Sequence, residues 1–355
     1  MIAALFSSCN DELKLNAPYR ELPSIYALLN PSEPRQFIRI NKVFLGESDA
    51  NVMAKVADSV NYPEGELQVT LTRYLNNKQV VASKSNAMTI VFNETVSTLD
   101  PGAFSQTQRL WYTDEQLFET GEYRLEVRNN RTGNVFRARA TSIAPIKAAF
   151  PPLTPPYYPY DPNTSIQHYI DYSQQGGFVN FIPNEAKIYQ LVVRTHFFDS
   201  LNEQPQNNKR FDYFDFNFGT REERSKVQKS GVSVIEMTFR KDDYFTAAGL
   251  ELAKKNLSDN IRGRKLYKIE FIVHSSTQEY IDYLQYSAPS FAITQTTPIY
   301  SNFEDRAAIG IFTFRNTLSV DKQPASTMIN EFARNPNTCN YRFYDAALNV
   351  GNCPQ

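Results

Sequence analysis

Histidine, cysteine and closely spaced carboxylates are the side chains that could carry chemistry, and this chain offers few: His168, His196 and His274, and Cys9, Cys339 and Cys353. Each histidine stands far in sequence from the other histidines and from any cysteine, so the paired-donor spacing of a zinc site is missing. No HExxH, GxSxG, phosphate-loop or GxGxxG pattern occurs, which removes the motif-bearing zinc proteases, serine hydrolases and nucleotide-binding folds. Two acids brought together from distant strands could still make a hydrolase without any local signature. Glu94, Asp100, Asp114, Glu115 and Glu119 are the nearest thing to an acidic cluster, and solvated loop acids are the simpler account of them. Asp242 and Asp243 fit a helix N-terminus, where the macrodipole favours negative charge, better than a calcium ligand set. The expectation is no catalytic constellation, no metal and no cofactor.

The cysteines need separate explanations. Cys9 follows a short apolar run and Ser7-Ser8, and precedes Asn10-Asp11-Glu12, which resembles the end of a bacterial lipoprotein signal. Cleavage before such a cysteine leaves a lipidated first residue, and its several chains anchor at about 0.8 kcal/mol per buried methylene. Cys339 and Cys353 flank a strand-like piece and a turn. Two readings stay open for them: a disulfide worth about 3 kcal/mol in an oxidising compartment, or two free thiols.

One aromatic segment stands out. In 211–218, aromatics alternate imperfectly with acidic or amide residues. Phe211, Tyr213, Phe214, Phe216 and Phe218 are candidates for an interaction surface, because aromatic anchors dominate binding hot spots. The alternative is a strand whose rings face the core and whose polar residues face water.

The elements that must position these residues are mostly strands. Aromatics reach 13 % of the chain, chiefly 25 Phe and 21 Tyr, in β-branched, alternating surroundings. Strands are predicted at 24–29, 36–44, 66–75, 79–91, 108–112, 121–129 and 134–142, with turn chemistry at Asn76-Asn77 and at Asn129 to Gly133. That spacing suggests a β-sandwich over 24–148, crossed by a helix at 49–59 and preceded by a tether over 1–23. Proline crowds 149–163, where neither helix nor central strand can run, and this marks a linker. Residues 164–355 then read as an α+β, sheet-rich domain, with strands at 177–182, 187–198, 210–218, 233–240, 266–275 and 308–315 and helices at 243–257 and 277–286. No apolar run beyond the first residues approaches the roughly 20 needed to span a bilayer. Lys and Arg total 37 against 38 for Asp and Glu, which leaves no field to recruit nucleic acid.

Several segments carry a likeness to a known family. The run from Ile25 to Asn30, followed by Gln36 to Gly46, resembles the first strands of uncharacterised Bacteroidota outer-membrane lipoproteins. Tyr123 to Val127 with Thr132-Gly133 is similar to the strand pair closing their immunoglobulin-like first domain, and Tyr280 to Leu284, Pro298 to Asn302 and Gly310 to Phe312 look like their late helix and ending. The resemblance implies an N-terminal immunoglobulin-like sandwich, an outer-membrane location by lipid anchor, and a neighbouring transporter of the TonB-dependent type or a secretion component. It implies no activity. Three functional classes follow, in this order: a non-catalytic accessory or interaction subunit, a glycan- or peptide-binding lipoprotein, and a hydrolase.

Overall fold

Apolar residues at every second position build this protein, most regularly in 188–201, where each alternate side chain from Tyr189 to Asp199 is buried. A computed structural model describes residues 21–43, 55–98, 107–148, 169–170, 177–201, 209–229, 231–255, 261–287 and 300–353. Cys9, Asp100, His168, most of the tether and the proline-rich linker lie outside the described residues.

The largest sheet draws on both ends of the chain. From the first half come β1 (Pro23–Leu29), β2 (Gln36–Lys42), β6 (Asn93–Thr98) and β7 (Thr107–Thr113). The second half supplies β13 (Ile188–Leu201), β14 (Lys209–Glu222), β17 (Ile261–Ser276) and β18 (Ile309–Pro324). Their order is β14-β13-β17-β18-β1-β2-β7-β6, with β11 (Tyr169–Ile170) against the end of β18. A second sheet runs β4 (Lys78–Val80), β3 (Leu67–Leu75), β8 (Glu122–Asn129), β9 (Val135–Thr141), and β5 (Thr89–Val91) also pairs with β3. A third joins β10 (Lys147–Ala148), β12 (Gly177–Ile182), β16 (Val232–Phe239) and β15 (Lys226–Lys229). Helices are few: α1 (Ala57–Val60), α2 (Lys241–Ala253), α3 (Gln278–Ser287) and α4 (Ser326–Arg334). The fold is sheet-rich and sandwich-like.

Strand β18 joins the two halves of the chain. Its residues 309–314 run parallel to 24–29 of β1, and its residues 315–322 pair antiparallel with 269–276 of β17. One sheet of the first half is therefore completed by a strand from the second, and no single cut at 149–163 would separate two complete sheets. The buried apolar residues likewise form one cluster, from Ile25, Trp111 and Tyr123 through Phe314 to Phe197 and Tyr244. Tyr123 of β8 lies 5.1 Å from Phe314, ring to ring, where the second sheet covers β18.

Close approach of β1 and β18 depends on Gly310. Its φ is +110°, and a Cβ there would overlap the carbonyl oxygen of Ile25. Farther along, Asn76 and Asn77 take φ of +48° and +62° between Leu75 and Lys78, the two-residue hairpin their types suggested. The helix expected at 49–59 shrinks, within the described residues, to the four residues of α1.

In the second half α2 and α4 cover the inner face of the long strands. Tyr244 of α2 and Phe332 of α4 meet Phe214 of β14, and Phe245 of α2 lies 5.0 Å from Phe332, ring to ring. Helix α3 lies on the opposite, outer face against β18, its Tyr283 ring 5.8 Å from Tyr26 of β1.

Candidate functional site

Strand alternation divides the aromatic segment of β14 between the two faces. Phe214 is 2 % exposed, and Phe216 and Phe218 pack against the same core, with Phe218 4.5 Å from Phe239 of the third sheet. Of the five candidates these three turn inward with the pleat, Phe214 buried and Phe216 and Phe218 partly so, which leaves them little surface to offer a partner. Phe211 and Tyr213, one phase out, stand on the outer face at 62 % and 43 % exposure.

Around these two rings the outer face is organised. Phe211 lies 5.8 Å from Phe198 of β13 and 5.7 Å from Tyr267 of β17. The Arg194 guanidinium sits 4.0 Å over the Tyr213 ring and is fixed there by two bonds to Asp215, at 2.8 and 2.9 Å. His196 lies 5.9 Å from both Tyr213 and Tyr267, and its Nε2 meets Glu270 Oε2 at 2.8 Å. Ser319 donates to the other carboxylate oxygen at 2.6 Å. Burial alone would raise the Glu270 pKa, but the bonds from Ser319 and His196 and the charge of Lys268 outweigh it and hold the carboxyl below its ordinary value. Serine, histidine and glutamate are thus neighbours, yet the hydroxyl is engaged by the carboxylate and not by the imidazole. Activation of a serine needs the nucleophile on the base. What this arrangement supplies is a preorganised aromatic and charged surface.

A second feature lies under α3, where the two halves meet. Tyr280 and Leu284, one turn apart, face the sheet and roof a crevice of about 240 Å³. Its floor includes Leu28 of β1, Ile188 of β13, His274 of β17 and Arg315 of β18. Arg315 stands at the handover in β18, one residue after Phe314, the last to pair with β1. One of its terminal nitrogens donates to Glu33 at 3.1 Å, while its Nε is buried with no hydrogen-bond partner. His274 shares a hydrogen bond of 3.0 Å between its Nδ1 and Thr317, and burial, then the nearby Arg315 charge, pushes its pKa down, which keeps the ring neutral near pH 7.

Behind the aromatic surface sits a buried ion cluster. Asp199 ends the inward phase of β13 and is fully buried, as is Arg264 of β17, whose Nε donates to it at 2.9 Å. Arg210 adds a second cation at 2.6 Å. Both terminal nitrogens of Arg264 lack a partner, and the guanidinium carbon lies 5.1 Å over the Phe197 ring. The C-terminal segment closes this region: Arg264 N–H donates to the Arg342 carbonyl at 2.9 Å, and Tyr344 N–H donates to the Arg264 carbonyl at 2.8 Å. Cys339 and Cys353 are joined as a disulfide, with Cα atoms 5.0 Å apart, and brace that segment.

The described acids singled out in sequence disperse into separate ion pairs and, for Glu115, a hydrogen bond. Asp114 binds Arg35, Glu119 binds Lys84 at 2.7 Å, Glu94 binds Arg109 at 2.9 Å, and Glu115 accepts from Ser85. Asp243 pairs with Arg240 at 3.0 Å beside the start of α2. Among the described residues no three of His, Cys, Asp and Glu are grouped to hold a metal ion, and no helix is long and apolar enough to cross a membrane. Sequence reasoning missed the crevice and the ion cluster. The cluster had a signal, since Asp199 falls in the same phase as Tyr189, Leu191, Val193, Thr195 and Phe197. The crevice had none, because six elements build it. No family model matches the chain, and no curated protein matches it.

Proposed function

We propose that the protein is a non-catalytic, lipid-anchored protein of a bacterial outer membrane that serves as an accessory or interaction subunit of a transport or secretion complex. The observation that carries the reading is the outer face of β14, where Phe211 and Tyr213 remain exposed while Phe198, Tyr267, Arg194 and Asp215 hold them in place. Rings fixed before binding lose little freedom on contact. The balanced charge argues against nucleic acid as the partner. An extracytoplasmic location is supported by the Cys339–Cys353 bond, since such bonds persist in oxidising compartments.

An immunoglobulin-like first domain belongs to this reading. In its support, β1-β2-β7-β6 and β4-β3-β8-β9 follow the order expected of strands A-B-E-D and C′-C-F-G. Tyr123, near the start of β8, accepts from the Phe118 N–H at 2.9 Å and donates to the Ala82 carbonyl at 3.0 Å, the bonding of a tyrosine corner. Burial raises its pKa to about 12, so the hydroxyl keeps its proton.

Two measurements test the proposal. Tyr213→Ala should weaken co-purification with the envelope complex in mild detergent at least about tenfold while leaving the unfolding midpoint unchanged, because the ring faces outward. Unaltered recovery of the complex by Tyr213→Ala and Phe211→Ala would refute the docking role, and turnover of a glycan, peptide or ester lost on Glu270→Gln or His196→Ala would replace it with an enzyme. For the anchor, Cys9→Ala in a chain bearing a complete export signal should shift the protein from membrane to soluble fraction. An intact mass with Cys9 unmodified would end that part of the proposal.

A further inference from the structure

We propose that the crevice beneath α3 binds a small carboxylate carrying a short apolar tail, with Arg315 taking the charge at the seam between the two halves. The inference goes beyond the docking role and does not rest on it.

Three observations converge. Arg315 lines the crevice with one terminal nitrogen on Glu33 and a buried Nε bonded to nothing. That Nε has no surface for a ligand to touch, so contact falls to the terminal nitrogens of the guanidinium, and a carboxylate is the acceptor whose geometry fits them. Arg315 is the one Lys or Arg in the crevice lining among the described residues, and Glu33 already shares its charge. A single, partly neutralised guanidinium suits a monoanion better than a phosphate dianion. Most of the crevice surface is apolar, with Leu28 and Ile188 in the floor and Leu284 in the roof, the last 40 % exposed where it overhangs the opening, and Gln190, Thr220, Ser275 and Ser276 add polar groups at its walls. At about 240 Å³ the space falls below the roughly 300–1,000 Å³ of sites for drug-sized ligands, which sets the occupant near the size of one amino-acid residue. A free short-chain acid and the last residue of a peptide present this same chemistry.

Calorimetry on the whole protein tests the proposal with acetate, butyrate, hexanoate, 1-butanol, acetyl-Ala-Leu and acetyl-Ala-Leu-amide as probes. Affinity should rise by about fourfold for each methylene from acetate until the crevice is full. Butanol and the peptide amide should not bind. Arg315→Gln should weaken carboxylate binding at least about tenfold, the loss expected for a charged hydrogen bond. Leu284→Trp, which fills the crevice from an exposed helix position without touching Arg315, should abolish binding with the circular dichroism spectrum unchanged. Tyr213→Ala should leave it intact, which separates this site from the docking surface. Binding by the free acids alone identifies a metabolite site, and binding by the peptide acid alone identifies a chain-end site. The proposal is overturned if no carboxylate binds at millimolar concentration, if butanol binds as well as butyrate, or if both crevice variants bind like the parent.

Discussion

Gly310→Ala is expected to lower the thermal unfolding midpoint by roughly 4 °C, a loss of about 3 kcal/mol from one added methyl group in a chain of this length. At φ +110° the backbone of residue 310 is in a region that side-chain-bearing residues rarely occupy, and strain of this kind costs about 1–3 kcal/mol by itself. The added Cβ would also press on the Ile25 carbonyl, so β1 and β18 must part along the pairing from Ser24↔Ile309 to Leu29↔Phe314. The Gly310 N–H donates to the Tyr300 carbonyl at 3.0 Å, which the same shift would strain. Calorimetric unfolding is the measurement, and a midpoint within about 1 °C of the parent would show that the two strands tolerate the separation.

The second large effect lies in the buried ion cluster. Asp199→Ala should destabilise the protein by about 3–5 kcal/mol, since it strands the Arg264 guanidinium in the core with no counter-charge. Arg264 has nothing to fall back on: it is fully buried and its two terminal nitrogens already lack partners. The paired replacement Asp199→Leu with Arg264→Met should recover most of the loss, because removing both charges removes the desolvation penalty with them. Denaturant titration of the two variants decides it. A double variant no more stable than Asp199→Ala would mean that shape, and not charge, holds this part of the core together.

What the sequence made legible was local. Alternation located the long strands because one face of each is buried, and Asn76-Asn77 and Asn129 to Gly133 marked turns because their side chains tolerate or stabilise the geometry: the Asn129 carboxamide accepts from Arg131 N–H at 2.8 Å and from Thr132 N–H at 3.1 Å. For the segment 211–218 the sequence left a surface and a core-facing strand as alternatives, and its period of two yields both, with Phe211 and Tyr213 outward and Phe214, Phe216 and Phe218 inward. Strand β6 was missed because Asn93 to Thr98 contains Glu, Ser and Thr and almost no apolar residue to reveal a buried side. Helix α4 was missed although its period is present, since Met328, Ile329, Phe332 and Ala333 fall on one face at helical spacing. Pairing of β1 with β18 leaves no mark at all in local pattern, and the site residues that depend on it, Leu28 and Arg315, were illegible for the same reason.

That pairing also sets a clock. Ser24 and its partner Ile309 are 285 positions apart, so at about 5–20 residues per second β1 leaves the ribosome some 15–60 s before its neighbour exists. Throughout that interval the early strand offers an unpaired edge with alternate apolar side chains, the form of chain most prone to join a stranger. Cellular yield of this protein should therefore be governed by how well the nascent N-terminal portion is shielded by chaperones, and slowing translation should lower it even where the finished molecule is stable.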